Sequence, residues 1–433
     1  MASSQDPSIS DSPLHVLIVG GGLSGLATAI SVSLAGHRAT VFEAAPQPHP
    51  FGSGVMTCPN GTRLLSRWGV DDGIPETASH VAISRWQLRD HQGTKRLAPD
   101  LMVRDGGWED NGMYQEYSPP PWTFHRVRLQ AALLRRAQEV GATVRFGSRV
   151  VGVDDDDGED ATIQLESGET LHGDLVVVAE GTQSRLRNLM LDRSVNPTAT
   201  GYMAYRVTVD RTLVRDLELL DFMDMTYIRT WIGNGSYVSV FPMEGAAQLS
   251  MMVSIPRGQL QQDTTATPGQ ELKAYFKDWD GLLSSMVDAA QRVNKWAAVH
   301  LPEPPKRHSP QGRCVLVGDA ANSTSPIISQ GLSLGLEDAA VLGHLLSHVH
   351  SKSQVPAATQ LYAKMRDART QLIQEGKARA LHATDGGCSN DGENSKQGAG
   401  SCLNFKNEMV VQTWMWHYDA YAEAEYEFKS TPF

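Results

Sequence analysis

Residues 14–30 read LHVLIVGGGLSGLATAI. Six residues, five of them apolar, run into three glycines, and from Leu23 the apolar residues recur at helical spacing. That is a strand, a tight turn and a helix. Gly20, Gly22 and Gly25 fit G-x-G-x-x-G. In that pattern the first glycine permits the turn, the second lets backbone approach a pyrophosphate, and the third lets helix pack on strand. The helix N-terminus then offers partial positive charge to the phosphates. A second short strand over residues 37–43 ends at Glu43, placed to accept hydrogen bonds from ribose hydroxyls. The unit begins a doubly wound parallel sheet, so the expected class is α/β with a Rossmann-like dinucleotide domain.

At 433 residues the chain exceeds one core, and two domains are expected. Residues 127–140 predict an amphipathic helix, and residues 143–178 a small β-meander that returns to a buried strand at 175–179. The acidic run from Asp154 to Asp157 reads as a solvated hairpin tip rather than a metal site, because no ligand spacing accompanies it. From residue 201 to 256 short strands recur and predict a mostly antiparallel sheet. Residues 315–317 form another strand, 332–348 a helix, 385–401 a low-complexity loop and 407–428 an aromatic, helical tail.

The net charge of −11 argues against nucleic acid as a partner. No apolar run is long enough to span a bilayer. The start, MASSQDPSISDSP, reads as a disordered tail without a signal-peptide core, so a soluble, cytoplasmic protein is expected. Cys58, Cys314, Cys388 and Cys402 are few and scattered; free thiols are expected, and no Cys/His spacing resembles a zinc site.

The glycine pattern alone does not separate FAD from NAD. Two later segments do: DLVVVAEGTQSRLR at 174–187 and GRCVLVGDAANSTSPIISQGLSLGLEDAAVLG at 312–343. With these three motifs in order over about residues 14–375, the chain resembles the flavoprotein aromatic hydroxylases, the family of p-hydroxybenzoate and salicylate hydroxylases. The resemblance implies that Asp319 contacts the ribityl–pyrophosphate part of FAD. Pro326 then lies beside the flavin ring, and Gln330-Gly331 opens a helix whose dipole favours negative charge on reduced flavin. It assigns Gly181 to a segment shared by FAD and NAD(P)H, Arg126 in HRVRLQAAL to an FAD contact, and Gly52 and Gly54 in FGSGVMTCPNG to a loop near the ring.

The family resemblance also implies the chemistry. NADPH or NADH would bind transiently and reduce the flavin, and O2 would then give a C4a-hydroperoxide that oxygenates an electron-rich aromatic small molecule of phenol or indole type. Arg206, with Tyr205, is the candidate for catalysis and substrate binding, and Tyr237, Phe241 and Met252 are candidate cavity residues. No metal is expected. Glu180, Asn322, Ser329 and Ser333 depart from the usual Asp, His, Gly and Asn, which points to a subgroup with unusual substrates, and Asn322 and Ser333 point toward a tailoring enzyme.

The expected FAD domain is discontinuous (14–80, 100–190 and 295–375). Segments 81–99 and 191–294 form the substrate sheet, and 376–433 a loop and helical tail. Rival readings are a halogenase, an oxidase or reductase of the same fold, and a non-catalytic nucleotide-binding regulator. The halogenase signature W-x-W-x-I-P has only Trp414-Met415-Trp416 as a near match, without Ile-Pro. Oligomeric state and the choice between NADH and NADPH are not legible.

Overall fold

Val16 and Ile18 point to one side of the first strand and Leu17 and Val19 to the other, and all four are buried. A strand buried on both faces belongs in the middle of a covered parallel sheet. In the computed structural model it does. The described residues are 13–48, 52–72, 80–97, 101–102, 119–155, 160–260, 265–301, 305–323, 329–384 and 414–433. His15–Val19 is the centre of a five-stranded sheet ordered Cys314–Leu316, Leu175–Val178, His15–Val19, Arg38–Phe42, Thr143–Arg145. Every neighbouring pair is parallel.

Helices α1 (Leu23–Leu34), α2 (Pro59–Arg67) and α3 (Arg126–Glu139) gather on one side of this sheet, where Val16, Ile18, Val41 and Val177 meet Leu26, Ile30, Leu129 and Leu133. The other side, led by Leu17, Val19 and Val178, is covered by a three-stranded antiparallel sheet and the short helix α4 (Leu186–Met190). The acidic run does not end as a solvated tip throughout. Asp155 is buried and accepts hydrogen bonds from Ser309 Oγ and from Arg313 N at 3.0 Å. A carboxylate three residues from a turn signal finds these donors only in the folded chain. Asp156 and Asp157 lie outside the described residues.

The second unit is a seven-stranded sheet ordered Ala290–His300, Thr198–Asp210, Gln248–Pro256, Ser236–Met243, Tyr227–Gly233, Arg85–Asp90, Leu101–Met102. It is antiparallel except where Tyr227–Gly233 pairs with Arg85–Asp90. The sheet extends beyond its expected limits, since Leu101–Met102 and the whole of Ala290–His300 belong to it. Hydrogen bonding to Thr198–Asp210 recruits the last strand, a partner that a linear reading cannot see.

Helices α5 (Leu217–Met223), α6 (Pro268–Tyr275) and α7 (Gly281–Asp288) cover its back. There Tyr205, Val207, Val240 and Met251 pack on Phe222, Leu272, Leu283 and Met286. Because strand side chains alternate, Arg206, Tyr237, Phe241, Ser250 and Met252 turn to the front, toward the dinucleotide unit. A Cβ built on Gly54 would stand 2.4 Å from Ser250 Cβ and 2.6 Å from Phe241 Cε2, so the two units touch there.

Helices α8 (Gly331–Leu346), α9 (Val355–Thr384) and α10 (Ala420–Ser430) complete the dinucleotide side. Between α9 and α10, residues 414–418 run across α2 and α9. Arg63 Nη2 donates to Trp416 O and Tyr418 O, both at 2.8 Å, and Arg369 Nη2 to Met415 O at 2.9 Å. Trp416 is buried with Cys58 and Phe241. Trp414 is 41% exposed and lies under Arg369, so this tryptophan pair anchors the tail. Cys58 and Cys314 are buried free thiols; Cys388 and Cys402 lie outside the described residues. Among the described residues no helix is long and apolar enough to cross a membrane.

Candidate active site

The glycine turn and the strand end at Gly318 meet through Ser24. A Cβ built on Gly318 would lie 2.3 Å from Ser24 Oγ, and one built on Gly335 at the same 2.3 Å. Only glycines let α1, the strand end and α8 approach so closely. Gly20 has φ +109°, and a Cβ there would meet Ala179 O at 2.5 Å. Gly25 is tighter still, with Gly20 O at 1.9 Å from its built Cβ.

Gly22 is different: its built Cβ meets nothing within 4 Å. It faces open space at the N-terminus of α1, where no side chain caps the first turn. Uncapped N–H groups around a bare glycine are what a pyrophosphate requires. Glu43 stands at the side of this cradle. Its Oε2 accepts from Gly21 N at 2.7 Å and its Oε1 from Ala45 N at 2.8 Å, which fixes the carboxylate at the end of the second strand. Gln130 Nε2 donates to Gly21 O at 2.8 Å and ties α3 to the same turn. Arg126 is the first residue of α3 and is exposed.

Asp319 stands on the opposite side. Solvent reaches its carboxylate, yet protein encloses it closely enough that burial raises its pKa to about 6; Arg126 opposes the rise and Asp338 adds to it. A carboxylate that is both wet and enclosed lies in a cleft, and hydroxyl donors arriving there would stabilise its charged form. Gly181, with φ +79° and open space at its Cβ position, borders the same region. These observations fit FAD: phosphates on Gly22, ribose at Glu43, and the ribityl chain at Asp319.

The raised pKa has a testable sign. The folded value lies above the ordinary carboxylate value of about 3.9, so ionising Asp319 destabilises the FAD-free fold as pH rises through about 4 to 6. Hydroxyl donors reverse that term. FAD affinity is therefore expected to fall as pH drops through about 6. Asp319→Asn should weaken FAD by about tenfold or more at neutral pH, the worth of a charged hydrogen bond, and should flatten this pH profile. FAD titration of the apoprotein by fluorescence checks both.

The segment at 180–187 is a brace. Glu180 Oε2 accepts from Ser184 Oγ at 2.7 Å and Leu186 N at 3.0 Å. Arg187 is fully buried and donates to Val195 O at 2.8 Å, Ala320 O at 3.1 Å and Thr182 O at 3.2 Å. It fastens the loop after Leu175–Val178 to the strand end that carries Asp319. Glu180 in place of Asp keeps the acceptor.

Behind Asp319 is a buried charge network that sequence reasoning missed, although its residues were in plain view in GLEDA. Asp338 Oδ2 accepts from Gly318 N at 2.8 Å and Arg307 Nη1 at 3.1 Å, and Oδ1 accepts from Arg366 Nε at 2.6 Å. Glu337 pairs with Arg366 at 2.8 Å and Arg369 at 2.9 Å, and accepts from Asn60 Nδ2 at 2.7 Å. Asn60 also donates to Gln330 Oε1 at 3.0 Å, so the network runs from the strand end to the first turn of α8. Burial pushes both acids up, but the facing arginines outweigh it and hold them below their usual range. A signal existed: two adjacent acids inside an apolar helix require buried cations.

Gln330 is buried as the N-cap of α8 and Gly331 opens the helix. Gln330 Nε2 and Asn322 Nδ2 have no partner among the described residues. Ser329 holds φ +51°, so the left-handed backbone survives where the family often has glycine. Ser333 Oγ accepts from Cys58 N at 3.1 Å and joins α8 to α2. Pro326 lies outside the described residues. Gly54 abuts Ser250 and Phe241, and Gly52 abuts Val127.

Tyr205 requires a correction. It faces the helical back of the sheet, fully buried, and its hydroxyl donates to Glu271 Oε2 at 2.7 Å. Adjacent strand residues point to opposite faces, so Tyr205 and Arg206 cannot share one site. Arg206 is the front-facing member. Burial lowers its pKa, opposed by Tyr237. Tyr237 is 5% exposed, and its hydroxyl, like Ser250 Oγ, has no hydrogen-bond partner among the described residues. Register places Met252 directly across from Arg206 and Ser239.

Fold and site together define a flavin-nucleotide-binding α/β protein whose dinucleotide cradle is roofed by a sheet with unpaired polar groups. A family model described as "FAD binding domain" matches residues 13–376. FAD-dependent monooxygenase OpS4 of Beauveria bassiana is 32% identical over 427 residues, covering 95% of this chain and 97% of that one. The 3-hydroxybenzoate 6-hydroxylase of Polaromonas naphthalenivorans is 28% identical, covering 84% and 87%. The crystal structure of CtdE in complex with FAD and its substrate 4 has the same fold, with TM-score 0.79 at 20% identity, covering 96% of this chain and 98% of that one. The chain belongs to the FAD-binding-domain family of flavoprotein aromatic hydroxylases and is an FAD-dependent monooxygenase.

Proposed function

We propose that the enzyme oxygenates a small electron-rich aromatic molecule bearing an acidic or carbonyl oxygen, and that NADH or NADPH supplies the electrons. One observation carries the substrate reading. Arg206 lies on the sheet face toward the cradle with no acidic partner among the described residues, next to the orphaned hydroxyl of Tyr237. Buried donors are normally satisfied, so the Tyr237 hydroxyl left without a protein acceptor, beside a half-buried guanidinium with no acidic partner, calls for an acceptor on the substrate. The name of the Polaromonas relative, a hydroxylase of a hydroxylated benzoic acid, supports this chemistry.

FAD, when bound, supplies the activation of O2. The chain's own residues orient and shield. Arg206 holds the substrate's anionic oxygen and keeps a phenol in its electron-rich form. Tyr237 and Ser250 donate to remaining oxygens. Phe241 and Met252 provide apolar walls that keep water from the reacting carbon. Asp319 and Gly22 hold the cofactor on the other side.

Arg206→Ala is expected to raise KM by about 10–100-fold, the worth of a charged hydrogen bond. It should also divert NAD(P)H oxidation into H2O2 while flavin content stays at the wild-type level. Incorporation of 18O from 18O2, measured by mass spectrometry on candidate phenols and hydroxylated heterocycles, tests the reaction itself. Unlabelled product, or an Arg206→Ala enzyme with normal KM and coupling, would remove this reading.

A further inference from the structure

At the far end of α8, about 20 Å from its flavin-side N-terminus at 1.5 Å per residue, two histidines share one carboxylate. His344 Nε2 lies 2.9 Å from Glu425 Oε2, and His348 Nε2 lies 3.1 Å from the same oxygen. One ligand atom from each of the three residues falls within 4.8 Å of the others. His344 lies in the last turn of α8 and His348 two residues past its end, in the turn that follows, and Glu425 comes from α10.

The rings are held in place. His348 stacks on Phe428 with centroids 3.9 Å apart and an interplanar angle of 15°. His344 meets Tyr421 edge-on at 5.6 Å and His348 at 5.1 Å. Side-chain exposures of 19%, 26% and 35% leave the cluster reachable yet half-buried. Ligand atoms of a tetrahedral zinc site, with bonds of about 2.0–2.1 Å, stand about 3.3 Å apart. The observed nitrogen–oxygen separations need a few tenths of an ångström to reach that.

We propose that His344, His348 and Glu425 bind a first-row divalent transition metal of the zinc class, which fastens the C-terminal helix α10 to α8. Two imidazoles and a carboxylate are borderline ligands that suit Zn2+ rather than Ca2+ or Mg2+. The metal replaces the two N–H···O contacts with N–metal bonds, and any remaining positions take water. Lys429 Nζ sits on the other carboxylate oxygen, Glu425 Oε1, at 2.9 Å, and leaves Oε2 free as the ligand. Lys429, and Arg67 beside His344, are the cations facing the cluster; they weaken the site without blocking it. Binding requires neutral imidazoles and is therefore weakened by acid. Because α10 continues from the segment that buries Trp416 against Cys58, the metal also stabilises the tail near the cradle.

The test uses full-length, tag-free, FAD-loaded protein, stripped with EDTA and titrated calorimetrically with ZnCl2 at about pH 7.5, above the imidazole range. One saturable site per chain and a raised Tm are expected. Both are to be lost in His348→Gln and in Glu425→Gln, with FAD content unchanged. No saturable binding by the wild type, or undiminished binding by both variants, overturns the proposal. If either variant misfolds, Co2+ in the wild type decides. Strong visible bands of a four- or five-coordinate centre support the site, and a weak octahedral spectrum overturns it.

Discussion

Gly25→Ala is expected to purify without flavin and with a lowered Tm. Its methyl group would sit 1.9 Å from Gly20 O and 3.3 Å from Ala179 Cβ. Neither neighbour can retreat, because Gly20 is itself pressed on Ala179 O at a backbone angle that only glycine adopts freely. The N-terminus of α1 must therefore lift from the sheet. Overpacking of this kind costs about 1–3 kcal/mol, and here the displacement falls on the phosphate cradle. Gly22→Ala is the informative contrast. Its methyl meets no protein atom, so the fold and its Tm should match FAD-free wild type while FAD is excluded. Visible flavin absorbance per chain and thermal melts of the two variants separate packing from binding.

Asp338→Ala is expected to be the most destabilising single change in the network. It leaves Arg307 and Arg366, both buried, without their shared carboxylate, and deprives Gly318 N of its acceptor. Removing one partner of a buried charge pair costs about 3–5 kcal/mol. That is a large part of the roughly 5–15 kcal/mol by which a typical domain is stable. Asp338→Asn keeps an oxygen acceptor for one of these donors and should lose less. Denaturant unfolding with bound FAD quantifies both. A loss of under about 1 kcal/mol in the alanine variant would mean that Asp367 and Glu337, which pair with Arg307 at 2.9 Å and Arg366 at 2.8 Å, suffice to hold these cations.

The glycine turn, the strand end at Gly318 and the antiparallel sheet were legible because each rests on local rules: glycine geometry, period-two alternation and helix starts. Alternation also should have separated Tyr205 from Arg206, which neighbour each other on one strand and so face opposite layers. What was not legible depends on partners distant in the chain. Asp155 finds Ser309 and Arg313, Arg187 finds Ala320, and Asp338 finds Arg307 and Arg366. Glu425 meets His344 and His348 across 81 and 77 residues. Such pairs are set by how layers stack, and composition is silent about that. Ser329, which keeps a left-handed φ of +51° without being glycine, shows that a departure in residue type need not alter the backbone it supports.

A crystal structure of the FAD-loaded protein tests the central claim most directly. The predicted result is one dinucleotide per chain, with its pyrophosphate on the amides beside Gly22, its ribityl hydroxyls at Asp319, and its ring facing Arg206 and Tyr237. Density for the cofactor anywhere else, or a ring turned away from that sheet face, would contradict the account.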